Sequence, residues 1–443
     1  MKKKLLLLGL ALVMVAGFLV GCGGSSGSGG SGDGGADTSG LPYDGVTLTL
    51  WGGNTELGDN AGFQALRQKA TETLGMTFEI ELNPGGTDGD NIIKTKLASG
   101  DVADIINYNT GSLFMALNPK NNFLDITDEP FAQKFDDSFK SVVSVDGRVY
   151  GAPQTTTQAG AVVYWKPDYE ELGLEVPKTW ADFLANCDAL EAAGKTSVLL
   201  TCGDTWSTQV LLLGDLYNVL AEEPTFAEDF TAGTAKFATT PAALRSWEKY
   251  TDLVGRYNAD ASAATYQEGI EAMGKGEATH WIILTQSIPE ILRNHPESAE
   301  NIGVFGIPGD DPDNAGLTVW EPNGWAIYAD TPNKEAALAF MEFWFEEENM
   351  DTYIELFGAN GPSCIKGYTL PESVCPAIRV DMQSYFDEGK TVPALEFLSP
   401  IKGTICEQLT TAMALGQGDA AESAAAYDDD CKKSAVQQGL NWN

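Results

Sequence analysis

The first forty residues exclude themselves from any folded body. Lys2, Lys3 and Lys4 precede an apolar run from Leu5 that ends in Leu19, Val20, Gly21 and Cys22. A basic head, a short apolar core and small residues before a cysteine predict a secretory signal over residues 1–21. Cleavage then falls before Cys22, and its thiol and new amino group are acylated. The run from Leu5 to Val20 approaches the roughly 17 to 25 residues of a spanning helix. The cysteine that ends it, and the stretch from Gly23 to Gly40 of almost nothing but Gly, Ser, Asp and Ala, favour a lipid anchor. Residues 22–40 are then a flexible tether with a reach of about 20 to 25 Å. The expected location is the outer face of the cell membrane, extracellular or periplasmic.

The rest of the chain, about 400 residues, exceeds what one hydrophobic core organises, so two lobes are expected. With 27 Lys and Arg against 63 Asp and Glu the chain carries a net charge of −36. Removing the signal lysines makes it more acidic still. Polyanions bind through basic patches that release counterions, so nucleic acid is excluded as a partner.

Seven cysteines include the acylated Cys22. The others, Cys187, Cys202, Cys364, Cys375, Cys406 and Cys431, are an even set in an oxidising compartment and are expected to form disulfides. Local sequence suggests Cys406 with Cys431 across a helical hairpin, Cys187 with Cys202 around the Gly194 turn, and Cys364 with Cys375 closing a short loop. No CxxC occurs, so structural staples are expected rather than redox chemistry.

Periodicity predicts a strand at Thr47–Trp51, a helix from near Asn60 to Gly75, a strand at Met76–Leu82, a helix through Lys94–Ser99 and a strand at Asp104–Tyr108. Such alternation implies a parallel sheet covered on both faces, with ligands gathering beyond the carboxyl ends of its strands. A second α/β stretch begins at Ala161–Trp165, and Thr179, Trp180, Ala181 and Asp182 form a capped helix start. Mostly helical sequence from Leu211 to Met273 precedes strands around Ala278–Leu284, Asn301–Ile307 and Gly324–Tyr328. Helices are expected at Asn333–Phe345 and Gly403–Leu415, with Phe340, Phe343, Trp344 and Phe345 as buried packing.

Several motifs fail informatively. Gly269, Gly274 and Lys275 mimic a phosphate loop, but Gly276 stands where a Ser or Thr would hold magnesium. Gly194, Lys195 and Thr196 lack the first glycine of that loop. Both sets follow helices and are expected to be helix-terminating glycines. Two histidines, His280 and His295, argue against a Ser/His/Asp enzyme or a histidine zinc site. Asp311, Asp313 and Gly316 resemble half a calcium loop, but Ala315 occupies an oxygen-donor position. No metal or cofactor is expected.

A series of segments resembles the extracellular solute-binding proteins of carbohydrate ABC transporters, the family that includes maltose-binding protein. Lys96, Leu97, Ala98, Ser99, Gly100, Asp101, Ala103, Asp104 and Ile105 resemble its K-L-A-S-G-x-x-P-D-I stretch, with Ala103 replacing proline. Asp146–Pro153 resembles its D-G-K-x-Y-G-x-P passage, followed by Val163, Tyr164, Trp165 and Lys166. Pro177, Lys178, Thr179, Trp180, Asp182 and Phe183 match a helix start. Met273, Gly274, Gly276, Glu277 and Ala278 match a helix-to-strand return, and Asn323–Ile327 and Ala336–Phe343 match later segments.

The resemblance implies a two-lobed, type II periplasmic-binding-protein-like α/β fold with three interlobe crossings, near Pro153, Thr279 and Ile327. Residues 41–153 with 280–326 would form the amino-terminal lobe, and 154–279 with 327–443 the other. It also implies hinge closure on a sugar, delivery to a permease with cytoplasmic ATPases, a monomeric receptor and no catalysis. Gln286 stands where many relatives place a stacking tryptophan, and His280 and Trp281 are unusual.

A pyranose offers apolar C–H faces and a hydroxyl rim, so its site needs flat aromatic surfaces together with amides and carboxylates. Trp51, Trp206, Trp281, Trp320 and Trp325 fall at expected strand ends or in the loops that follow. Asn54, Glu56, Asn109, Asp204, Gln286, Glu321 and Asn323 lie beside them as hydroxyl partners. Trp206 is the leading candidate, because Asp204 and Thr205 put acceptors next to its ring. Composition alone leaves open an exported glycoside hydrolase with two cleft carboxylates, and a surface adhesin or sensor that presents bound sugar.

Overall fold

The computed structural model describes residues 40–84 and 86–442, so the signal, Cys22 and nearly all of the tether lie outside the described residues. The chain then alternates β1 (Thr47–Gly53), α1 (Ala61–Leu74), β2 (Thr77–Asn83), α2 (Gly86–Ser99) and β3 (Ile105–Tyr108). Local signals fix these boundaries. The Asn60 side chain accepts the Phe63 N–H at 2.9 Å to start α1, and Gly75 at φ 88° ends it in the left-handed region. Gly62, Phe63, Leu66 and Ala70 form the buried face of α1 at helical spacing.

After α3 (Ser112–Met115) and α4 (Asp137–Val143), the chain adds β4 (Ala152–Pro153) and enters β5 (Gln158–Trp165). Ala159 to Tyr164 are all buried, the continuous apolar run of a strand covered on both faces. Next come α5 (Trp180–Ala192), β6 (Val198–Leu199), α6 (Tyr266–Lys275), β7 (His280–Leu284), β8 (Ile302–Gly306) and β9 (Leu317–Trp320). The reciprocal capping box of Thr179 and Asp182 opens α5. β10 (Gly324–Ile327), α7 (Lys334–Trp344), α8 (Glu347–Phe357), β11 (Thr391–Pro393) and α9 (Leu395–Leu398) follow.

Two main sheets result. The first has the order β2-β1-β3-β10-β4, and the second β11-β9-β5-β7-β6 with β8 also paired to β5. The first is mixed rather than wholly parallel: β1 runs parallel to β2 and β3, but β10 pairs antiparallel with both β3 and β4. The chain therefore passes between sheets at residues 153–158 and 320–324, and a third time between β10 and β11.

This pairing corrects the lobe boundaries drawn from sequence. Residues 280–320 do not join the first sheet, because β7, β8 and β9 all pair antiparallel with β5. Thr279 is no passage between sheets either. It leads into β7, which runs parallel to β6 within the second sheet.

The disulfides are corrected as well. All six described cysteines are free, buried thiols. Their side chains face other partners: Cys187 lies 3.9 Å from His280 Nδ1, and Cys364 points at the Thr155 carbonyl and the Glu321 carboxyl. They act as small apolar packing groups.

The glycines of the false phosphate loops have packing roles. A Cβ on Gly269 would stand 2.7 Å from the Trp281 ring, and one on Gly274 would meet the His295 ring at 2.2 Å, while Gly276 ends α6 at φ +69°. Among the described residues no group of His, Cys, Asp and Glu could hold a metal ion, and no helix is long and apolar enough to cross a membrane.

Candidate functional site

Two of the passages between sheets, 153–158 and 320–324, border a cleft of about 670 Å³. Its inner wall is a chain of amides. Asn107 on β3 donates from Nδ2 to Gln154 Oε1 at 3.0 Å, and Gln154 Nε2 donates to the Glu56 carbonyl at 3.1 Å. The Gln154 carbonyl accepts the Trp344 indole N–H at 3.2 Å. Asn323 Nδ2 reaches Glu56 Oε1 at 3.2 Å, so both passages are tied to the helical turn Asn54–Gly58 that follows β1.

The opposite wall comes from the end of β9 and from α9. Trp320 donates its indole N–H to Glu396 Oε1 at 2.5 Å, and Lys402 holds Glu396 Oε2 at 2.5 Å. Ser112, which opens α3, donates to the Glu396 carbonyl at 2.6 Å. A Cβ on Gly111 would stand only 2.4 Å from the Phe397 ring, so α3 and α9 meet directly at the cleft rim. Tyr353, Phe357 and Phe397 also line the cleft. Phe357 and Phe397 are half-buried, and aromatic residues at a cleft are what a sugar face requires.

Glu321 is 5 % exposed. Burial, reinforced by the nearby Asp136 carboxylate, pushes its carboxyl up to about 8, against the hydrogen bonds from Ser138 and Cys364. It is therefore largely a neutral acid at pH 7. Burial also raises the Glu56 carboxyl above its usual range, although a backbone hydrogen bond opposes the shift.

Of the residues singled out from sequence, Asn54, Glu56, Asn109, Gln286, Trp320, Glu321 and Asn323 all line this cleft. Five others do not. Trp51, Trp281 and Trp325 are each 1 % exposed and serve as core. Trp51 packs on Tyr108, Trp281 on Tyr266, and Trp325 on Phe63 and Trp344. The Trp206 ring lies tilted against Tyr266, 5.2 Å between centroids, and does not line the cleft, and the Asp204 carboxylate accepts the Tyr266 backbone N–H at 2.6 Å. Both are used in fixing the start of α6.

Sequence reasoning missed Gln154, Gln158, Phe357 and Phe397. Phe357, directly before the helix-ending Gly358, carried the one usable signal, an aromatic residue at a helix terminus.

The chain matches the sequence profile of the family described as "Bacterial extracellular solute-binding protein" over residues 65–374. It is 24 % identical to the multiple sugar-binding protein of Streptococcus mutans over 63 % of this chain and 67 % of that protein. Among solved structures, apo RafE from Streptococcus pneumoniae superposes with a TM-score of 0.72 at 20 % identity, covering 88 % of this chain and 98 % of that one. RafE in complex with raffinose gives 0.70 at 20 % identity, covering 88 % and 99 %. A chitin oligosaccharide binding protein gives 0.70 at 21 % identity, covering 88 % and 99 %. These structures share the two-lobed α/β fold. The profile match, spanning well over half of the sequence, makes the chain a member of the bacterial extracellular solute-binding proteins.

Proposed function

We propose that this protein is a lipid-anchored receptor that captures an oligosaccharide by closing its lobes on it and delivers it to the permease of an ABC importer. The observation that carries this reading is the make-up of the cleft. Amides and carboxylates line it together, and the aromatic residues Phe357 and Phe397 share it with Trp320. That mixture suits hydroxyl rims and apolar sugar faces. The names of the relatives, a multiple sugar-binding protein and proteins bound to raffinose or chitin oligosaccharide, support the same ligand class.

The cleft meets the passages between the sheets, so bending there changes its width, and contact between α3 and α9 closes its rim. Ligand binding to both walls favours the closed arrangement because only that arrangement makes both sets of contacts. The lipid on Cys22 and the tether after it keep the monomeric receptor beside its permease. The sugar is bound without being cleaved.

Intrinsic tryptophan fluorescence titrated with raffinose, maltotriose, chitotriose and xylotriose tests the reading, with a saturable change expected for at least one of them. A flat response to all four, together with a change for peptides or polyamines, refutes the carbohydrate ligand. Chromatography after prolonged incubation is expected to return the sugar intact. A Cys22→Ala variant is expected to leave the membrane fraction.

A further inference from the structure

The charges of the cleft are unbalanced in a way that bears on which sugars enter. Besides the protonated Glu321, four carboxyl side chains line it, Glu56, Asp59, Glu290 and Glu396, against two cations, Arg293 and Lys402. Lys402 is already committed to Glu396 at 2.5 Å. Arg293 is exposed at the rim, where its charge acts on the Glu290 carboxyl. Glu56 and Asp59 have only amide partners: Asn323 donates to Glu56 and Asn54 to Asp59. The Gln158 side chain also lines the cleft. Such a cleft offers acceptors and asks its ligand for donors.

Resting on the carbohydrate reading above, we infer that Glu56 and Asp59 act as a charge filter, so that the cleft takes neutral sugars and rejects those bearing carboxylate or phosphate groups. A sugar hydroxyl can donate to Glu56 and Asp59. A uronate in its place has no proton to give and meets two carboxylates, while of the two lining cations Lys402 is paired with Glu396 and Arg293 stands at the rim beside Glu290. Within a partly desolvated cleft, like-charge juxtaposition of this kind is strongly unfavourable.

The test uses isothermal titration calorimetry with raffinose, maltotriose and chitotriose, each against the same sugar with a C6 hydroxyl oxidised to a carboxylate, and against the methyl ester of that carboxylate. Whichever neutral sugar binds, its carboxylate form is expected to bind roughly 100-fold more weakly at low salt. The ester is expected to recover most of the loss, which separates charge from bulk. The gap is expected to narrow at about 0.5 M salt, where screening shortens to a few Å, and in the Glu56→Gln, Asp59→Asn double variant.

A carboxylate that binds within about threefold of its neutral parent overturns the filter while leaving the carbohydrate reading intact. So does a gap insensitive to esterification and to salt, both of which are read on the unaltered protein. If none of these sugars nor xylotriose binds in any form while a peptide or polyamine does, the carbohydrate reading falls and the filter falls with it.

Discussion

Trp320 and Glu396 share a hydrogen bond of 2.5 Å in which the indole N–H donates to the carboxylate. The other carboxylate oxygen holds Lys402, and the Glu396 carbonyl accepts from Ser112 across the cleft rim. One residue thus orients an aromatic wall and also takes part in the contact between α3 and α9. A hydrogen bond to a charged group contributes about 1.5 to 3 kcal/mol. Glu396→Ala is therefore expected to weaken sugar binding by roughly 10-fold or more through a loosened Trp320 ring. Trp320→Ala should cost at least as much. Calorimetric titration with the sugar identified by fluorescence measures both, and an unchanged Kd in Glu396→Ala refutes the orienting role.

Trp325 provides the opposite case. Its ring lies 6.0 Å from Phe63 and 5.3 Å from Trp344, with no face toward the cleft. Trp325→Ala is expected to destabilise the fold by about 3 to 5 kcal/mol, the usual loss for a large core ring. Trp325→Phe, a milder truncation, should lower Tm while leaving the Kd of folded protein within about twofold. Thermal unfolding and calorimetry on the same sample separate the two effects.

The contrast between these tryptophans also marks how far sequence could be read. Helix starts and stops were legible because their signals are local: Asn60, Thr179 with Asp182, and Gly75 act within one turn of themselves. The acceptor residues from Asn54 to Asn109 were legible because a strand carboxyl end is a place along the chain. Which way a ring faces at that place is decided by packing partners far away in sequence, so Trp51, Trp281 and Trp325 were read as platforms although they are core. The lobe boundary failed for a related reason. β7, β8 and β9 join the second sheet by antiparallel pairing with β5, more than a hundred residues earlier, and no local pattern announces such a partner. Phe397 became part of the site only through its contact with Gly111 on the other side of the cleft.

The six cysteines give a direct test of the corrected reading. Burial raises the thiols of Cys187, Cys406 and Cys431 to about 12, so little thiolate is present at neutral pH. The body from residue 41 onward is expected to show almost no reaction with a thiol reagent in native buffer and to titrate all six cysteines once denatured without reductant. A titre of four or fewer in denaturant indicates at least one disulfide and contradicts the free-thiol arrangement.

Two buried groups of opposite sign should shape stability against pH. His280 Nδ1 faces the Ser197 carbonyl at 2.8 Å, and its Nε2 lies 2.7 Å from the Tyr169 hydroxyl, an arrangement suited to the neutral ring. Burial depresses its pKa from 6.5 to about 3. The unfolded chain therefore binds the extra proton in that interval, and stability is lost as pH falls from 6.5 toward 3. Glu321 behaves inversely: with its carboxyl raised from 4.5 to about 8, the folded state holds the extra proton, and stability is lost as pH rises across that range. Between 4.5 and 6.5 the two slopes oppose each other. Tm of the wild type is thus expected to be flattest in that window, falling on the acid side through His280 and on the alkaline side through Glu321. Glu321→Gln, which keeps the shape and removes the charge, should flatten the limb from pH 6.5 to 8 and leave the acid limb as it was. Parallel Tm profiles for variant and wild type over that limb, measured by calorimetric scanning at matched ionic strength, refute a raised Glu321.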